Sequence, residues 1–275
     1  MGGPVTFRGE MQPTLLARLT DGLRRRRFGF FFAELVLVVA GILIALAIDG
    51  WVGDRKDSEV ELTYLELLAR DIDELRAQAD EQLQFEQDKV AASTTALRLM
   101  NNPDPAAHRE ELGRLLAFLT GRRTVSLSSA TYEQMLSSGH LQLIRNTTLR
   151  DSIVRHFARL ERLELIIGKN NQDLIDDVYI PFMLRAGISQ RPDMDLDRGR
   201  SNRGPTLMQD ALGPDFEYPG DTVLEQPPEA ASWKDIQRHV MWRMYIAALG
   251  QANAEAILEE TGRMAAELQA ELDRR

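Results

Sequence analysis

The chain has 275 residues, a net charge of -9 and no cysteine. The missing thiols exclude a disulfide scaffold, thiolate metal sites and a cysteine nucleophile. The acidic balance argues against nucleic acid as a partner.

Residues 1–27 carry six arginines (Arg8, Arg18 and Arg24 to Arg27) against Glu10 and Asp21, a net charge of +4. Within them, Leu15, Leu16, Leu19 and Leu23 share one helical face, which reads either as a short interfacial helix on an anionic leaflet or as an unstructured basic tail. The next stretch, Phe28 to Ile48, has Glu34 as its sole charge over 21 residues. A helix of that length covers roughly 31 Å, the thickness of a bilayer's hydrocarbon core. Trp51 follows where an amphipathic ring favours the headgroup level. Residues 49–275 hold 27 basic and 39 acidic side chains, so the charge asymmetry puts the N-terminus inside and the large acidic part outside. In a bacterium this is an inner-membrane anchor with a periplasmic domain. A cleaved secretory signal ending at Ala45-Leu46-Ala47 is the rival, opposed by the length of the apolar run and by Glu34 within it.

From about Glu59 a long helix is expected, with Leu65, Leu68, Ile72, Leu75, Ala79 and Leu83 as its apolar stripe, ending at Asn101-Asn102-Pro103. It is expected to be continuous with the span, as a stalk able to carry rotation or tension. Residues 105–121 form a shorter helix closed by Gly121. Ser128 or Ser129 caps another through Met135, and Gly139 ends it in a left-handed conformation. His140 to Arg145 reads as a brief extended link. Asn146 then caps a helix with Leu149, Ile153, Phe157 and Leu160 inward, running to about Tyr179 with Pro181 as its stop.

Residues 182–231 hold six of the eleven prolines and keep no period, so they read as a long irregular loop, functional or mobile. Helix resumes with Ser232 as cap and with Ile236, Val240, Met244, Ala247, Ile257, Met264 and Leu268 as its stripe. No strand alternation is long enough for a sheet. The fold class is all-α: a basic tail (1–27), one transmembrane helix (28–48), and an extracytoplasmic antiparallel helical bundle (49–275) with the irregular loop 182–231.

Two stretches, ELVLVVAGILIALAIDGWVGDRK and YEQMLSSGHLQLIRNTTLRDSI, resemble the motifs of a family of bacterial single-span membrane proteins classed as a domain of unknown function. Glu34, Gly41, Trp51, Tyr132, Ser137, Gly139, Asn146 and Leu149 match residue by residue. The chain departs at Ala47-Ile48-Asp49-Gly50-Trp51, where that family often has Gln-Ile-Asn-Asn-Trp, so polar contacts at that membrane edge differ. The resemblance implies a membrane anchor with an extracytoplasmic helical domain, and no activity comes with it.

Three features carry the functional reading. Glu34, Gly41, Ala45 and Ile48 fall on one face of the span, and Gly41 with Ala45 forms a small-xxx-small pair that permits close helix approach. The face is a seam for a homo-oligomer or a partner transmembrane helix, an ion-responsive element through Glu34, or a carboxylate paired with Arg26 or Arg27 or protonated. The corner with Tyr132, Ser137, Ser138, Gly139 and His140 is a ligand or partner surface, or plain helix-corner packing. Asp193, Asp195 and Asp197 precede Gly199 with the wrong spacing for a calcium loop, and the four histidines lack paired spacing. No nucleophile elbow, phosphate loop or dinucleotide fingerprint occurs, so neither a cofactor nor catalysis is expected. The expected role is binding, as a scaffold or sensor-like subunit whose partners are the lipid bilayer and another helix.

Overall fold

The computed structural model describes the backbone of residues 15–190, 203–213, 215–217 and 219–275, with side chains over the same ranges from residue 34 and excepting 203–206. The expected aspartate-rich stretch 193–197 lies outside the described residues. So do the side chains of Leu15 to Leu23 and of Arg24 to Arg27. All described regular structure is helical. The helices are α1 (Leu15–Met100), α2 (Arg109–Phe118), α3 (Ala130–Ser138), α4 (Thr147–Asn170), α5 (Ile180–Arg185), α6 (Arg203–Leu212) and α7 (Ala231–Leu272). Two compact units make up the chain, residues 1–60 and residues 61–275.

In the first unit every described residue from Glu34 to Asp57 is exposed. Leu35, Leu37, Leu43 and Leu46 present their side chains outward, so one described helix is long and apolar enough to cross a membrane.

The second unit has two apolar clusters. In one, Leu65, Leu68, Ile72 and Leu75 of α1 meet Ile153 and Leu160 of α4 and Ile257, Met264 and Leu268 of α7. In the other, Ala96 and Met100 of α1 meet Leu112 and Leu116 of α2, with Trp233, Ile236 and Val240 of α7. Within this unit α1 and α7 run in opposite directions. Arg275 pairs with Glu61, Gly250 faces Glu86, and Gln237 donates to Asn101 Oδ1 at 3.3 Å.

Several expectations hold residue by residue. Ser129 caps α3 by accepting from Tyr132 N–H at 3.0 Å, Gly139 ends it at φ 75°, and Asn146 caps α4 by accepting from Leu149 N–H at 3.2 Å. The same Asn146 donates through Nδ2 to Glu271 Oε2 at 2.8 Å and so holds that carboxyl below its usual range. Asn146→Ala is therefore expected to lower the thermal midpoint by more than a lone cap loss of about 1 kcal/mol, because the α7 contact goes with it. Asn146→Ser, which keeps a cap acceptor but is too short to reach Glu271, separates the two terms in the same melt.

Other expectations are corrected. His140–Leu143 is a single 3-10 turn rather than an extended link, because the left-handed Gly139 turns the chain and its carbonyl accepts from Gln142. Pro181 does not stop the helix after α4. Residues Asn171–Tyr179 widen into a π-helix, Ile180 N–H bonds back to Ile175 O, and α5 continues through the proline. The wider turn accommodates a ring that has no N–H to give and would crowd a carbonyl one turn back.

Ser232 lies inside the first turn of α7, whose cap position is Ala230. Its hydroxyl donates instead to Gln226 Oε1 at 2.7 Å. The region expected as an irregular loop contains α6 and is pinned elsewhere. Asp221 Oδ1 accepts from Ser189 N–H at 2.9 Å, Val223 and Leu224 are buried, and Trp233 Nε1 donates to Gln226 O.

Candidate functional site

The face of α1 that the sequence singles out carries Glu34, Gly41 and Ala45, all exposed. Offsets of 7 and 11 residues keep the three within about 20° of one line at 100° per residue. A Cβ added at Gly41 would meet nothing within 4 Å, so this face is open in the first unit.

The corner residues separate. Tyr132 stacks on Phe157 with ring centroids 4.2 Å apart, and burial, then the Glu161 carboxylate, push its phenol up. It lines a cleft of about 610 Å³ between α3 and α4, with Leu136, Val154, Phe157 and Leu165 as apolar surface and Glu133, Glu161 and Glu164 as acids. Glu164 is already engaged, accepting from Leu127 N–H at 2.8 Å. Ser137, Ser138, Gly139 and His140 do not line this cleft. Both serine hydroxyls donate to Gln134 O, and His140 Nδ1 shares a hydrogen bond with Tyr64 OH at 2.8 Å. Ser137, Ser138 and Gly139 are exposed at the end of α3, and His140 is half-buried beside Tyr64.

A third site was not foreseen. The inward face of α1 changes character after Ala79, where Gln82, Glu86, Lys89 and Ser93 replace aliphatic residues and are all buried. Leu83, expected on the stripe, is only half-buried. On α7 the matching position is Arg243, fully enclosed, whereas Met244 is half-buried. This polar layer separates the two apolar clusters. The signal was present as a 3-4 spacing of polar residues, but such residues also mark a solvated face, and periodicity cannot tell the two apart.

The two cations of the layer serve the C-terminal end of α2, where carbonyls lack intrahelical donors. Lys89 Nζ donates to Phe118 O at 2.7 Å and lies 3.3 Å from the Phe118 ring centroid. Arg243 Nε donates to Leu119 O at 2.9 Å and Nη2 to Gly121 O at 3.1 Å. The dipole favours cations there, and cation–π contact adds to it.

Glu86 accepts from Gln82 Nε2 at 2.8 Å. Burial raises its carboxyl to about 7, against the pull of Arg243 and Lys89. Gly250 makes room for it, since a Cβ there would lie 2.6 Å from Glu86 Cδ. Burial likewise lowers Arg243 and raises Tyr179, a neighbour of the layer from the π-helical stretch.

At the far end of α7 a second ionic group holds the unit together. Glu61, fully buried, receives both Arg275 Nη1 at 2.6 Å and the Arg145 backbone N–H at 2.8 Å.

Among the described residues these features define an all-helical protein with one long apolar helix. The profile of a family of unknown function, DUF6090, matches residues 34–178, and the chain belongs to that family. The match takes in the Glu34–Gly41–Ala45 face, both motif stretches and the α3–α4 cleft, and stops before α7. No curated protein and no solved structure matches the chain.

Proposed function

We propose that the chain is a bitopic inner-membrane protein with residues 1–27 in the cytoplasm, 28–48 across the bilayer and 49–275 as a periplasmic antiparallel helical bundle. It acts by binding, as a scaffold or sensor-like subunit, without catalysis of its own. The observation that carries the reading is the unbroken apolar surface of residues 35–48, exposed on all sides of α1 while α4 and α7 bury their apolar stripes. Apolar patches of this extent mark membrane or partner contact, and a helix satisfies its own backbone in lipid. The change from +4 to -12 across the span supports the orientation.

The partner in the membrane is a second copy or another helix, received on the Glu34–Gly41–Ala45 face. Small residues there let backbones approach, and Glu34 finds a polar contact at the seam.

With no native cysteine, single substitutions report directly. Gln269→Cys is expected to react with a membrane-impermeant maleimide applied to the periplasmic side, and Thr20→Cys is not. The reverse labelling would overturn the orientation. Oxidation in native membranes is expected to crosslink Gly41→Cys and Ala45→Cys into dimers and to spare Leu43→Cys on the opposite face. Dimers at all three positions, or at none, would remove self-association through this face.

A further inference from the structure

Between the π-helical stretch and α7 the second unit has a cavity of about 310 Å³. That volume is at the low end of small-molecule sites, which run roughly 300–1,000 Å³. Leu174, Val178 and Tyr179 form one wall, and Trp242, Arg243 and Ile246 form the other. His239, which also lines it, is stacked on Phe182 with ring centroids 3.5 Å apart.

The rim is apolar and open. Val178 and Trp242 are both exposed, and Trp242 is continued along α7 by Met241 and by Tyr245, whose ring meets it edge-on at 5.7 Å. A wholly greasy cavity would say little about its occupant. The inner wall says more. Arg243 uses Nε and Nη2 on the carbonyls of Leu119 and Gly121, yet its Nη1 is buried with no hydrogen-bond partner among the described residues. The hydroxyl of Tyr179 is in the same condition.

Both side chains are almost wholly buried, at 1% and 2% exposure. An unmade hydrogen bond at such a group is costly, and more so when the group is charged. Two idle donors, one of them cationic, match the two oxygens of a carboxylate. The wall that carries Tyr179 is the π-helix, a rare conformation that is frequent at functional sites.

We propose that this cavity binds a small monocarboxylate with an apolar body. The carboxylate accepts from Arg243 Nη1 and from the Tyr179 hydroxyl, and the apolar body is held between Val178 and Trp242. The site lies wholly within residues 61–275 and does not depend on the membrane reading.

The probe is 4-phenylbutyrate, titrated against the full chain in lipid nanodiscs by ligand-observed NMR, with empty nanodiscs as blank. The comparison ligands are 4-phenylbutan-1-ol and 4-phenylbutylamine. Saturable binding of the acid is expected, with the alcohol and the amine at least tenfold weaker. Arg243 also supports the fold, so Tyr179→Phe is the deciding variant: its hydroxyl has no bond to lose, and the melting midpoint is expected to hold or rise. Its affinity for the acid is expected to fall about tenfold, as for loss of a hydrogen bond to a charged group. Trp242→Ala is expected to weaken the acid as well. Equal binding of acid and alcohol, an unaltered affinity in Tyr179→Phe, or no saturable binding of the acid at millimolar concentration would each overturn the proposal.

Discussion

Arg243→Met is expected to lower the thermal midpoint of the helical unit by about 10 °C. Leaving a buried hydrogen-bonding group without its partner costs about 1–3 kcal/mol, and Arg243 serves two such groups. For a unit of this size each kcal/mol moves the midpoint by about 2–4 °C. Here the loss has two parts. The carbonyls of Leu119 and Gly121 lose their donors, and Glu86 loses a cation that eases its burial. Circular dichroism melts of the full chain in nanodiscs measure the effect. Adding Glu86→Gln to Arg243→Met is expected to restore part of the lost stability, since it removes the stranded carboxyl. Such non-additivity is the signature of groups that interact directly. A midpoint within about 2 °C of the parent for Arg243→Met alone would mean that the polar layer contributes little to stability.

Stability is expected to depend on pH through two buried groups with opposing slopes. Glu86 is raised from 4.5 to about 7 by burial. Between those values the folded chain holds a proton that the unfolded chain has released, so stability falls as pH rises. The full loss, about 3 kcal/mol, is reached above pH 7. His156 is lowered from 6.5 to about 4, first by burial and then by Arg263, against Glu267. Between pH 4 and 6.5 the unfolded chain binds the proton that the folded chain refuses, so stability rises with pH by about the same amount.

The two terms nearly cancel from pH 4.5 to 6.5, and the parent chain is expected to be flat there as far as these groups decide it. Glu86→Gln unmasks the rising slope, and His156→Leu unmasks the falling one. Both ring nitrogens of His156 lack partners among the described residues, so leucine sacrifices no hydrogen bond. Denaturant midpoints at half-unit pH steps read both slopes. Parallel profiles for the parent and both variants would contradict the assignment.

Local signals were legible where one residue type answers one backbone need. Ser129, Gly139 and Asn146 were readable because a helix start wants a side-chain acceptor and a left-handed end wants glycine. Aliphatic residues at 3-4 spacing located the buried faces of α4 and of the first half of α1 beyond Glu61. Pro181 misled because the rule that proline breaks a helix assumes ordinary turns, and the chain relaxes into π-helix before it. Ser232 misled because a serine near a helix start competes with neighbouring groups, and Gln226 wins its hydroxyl. Asp221, Val223 and Leu224 were hidden within a proline- and glycine-rich composition that argued for irregularity over the whole stretch.

The sequence by itself determined the helical class, one apolar helix of membrane-crossing length, the charge asymmetry around it and the caps of α3 and α4. These depend on residues near one another in the chain, and periodicity and charge report them directly. Tertiary structure alone decided that Gln82, Glu86, Lys89 and Ser93 are buried, that Arg243 rather than Met244 turns inward, and that Tyr132 belongs to a cleft while His140 belongs to a corner. In each case the deciding partner is far away in the chain: Phe118, Leu119 and Gly121 for the two cations, Gly250 for Glu86, and Tyr64 for His140. A polar residue at helical spacing is read as solvated until the group that satisfies it is seen opposite.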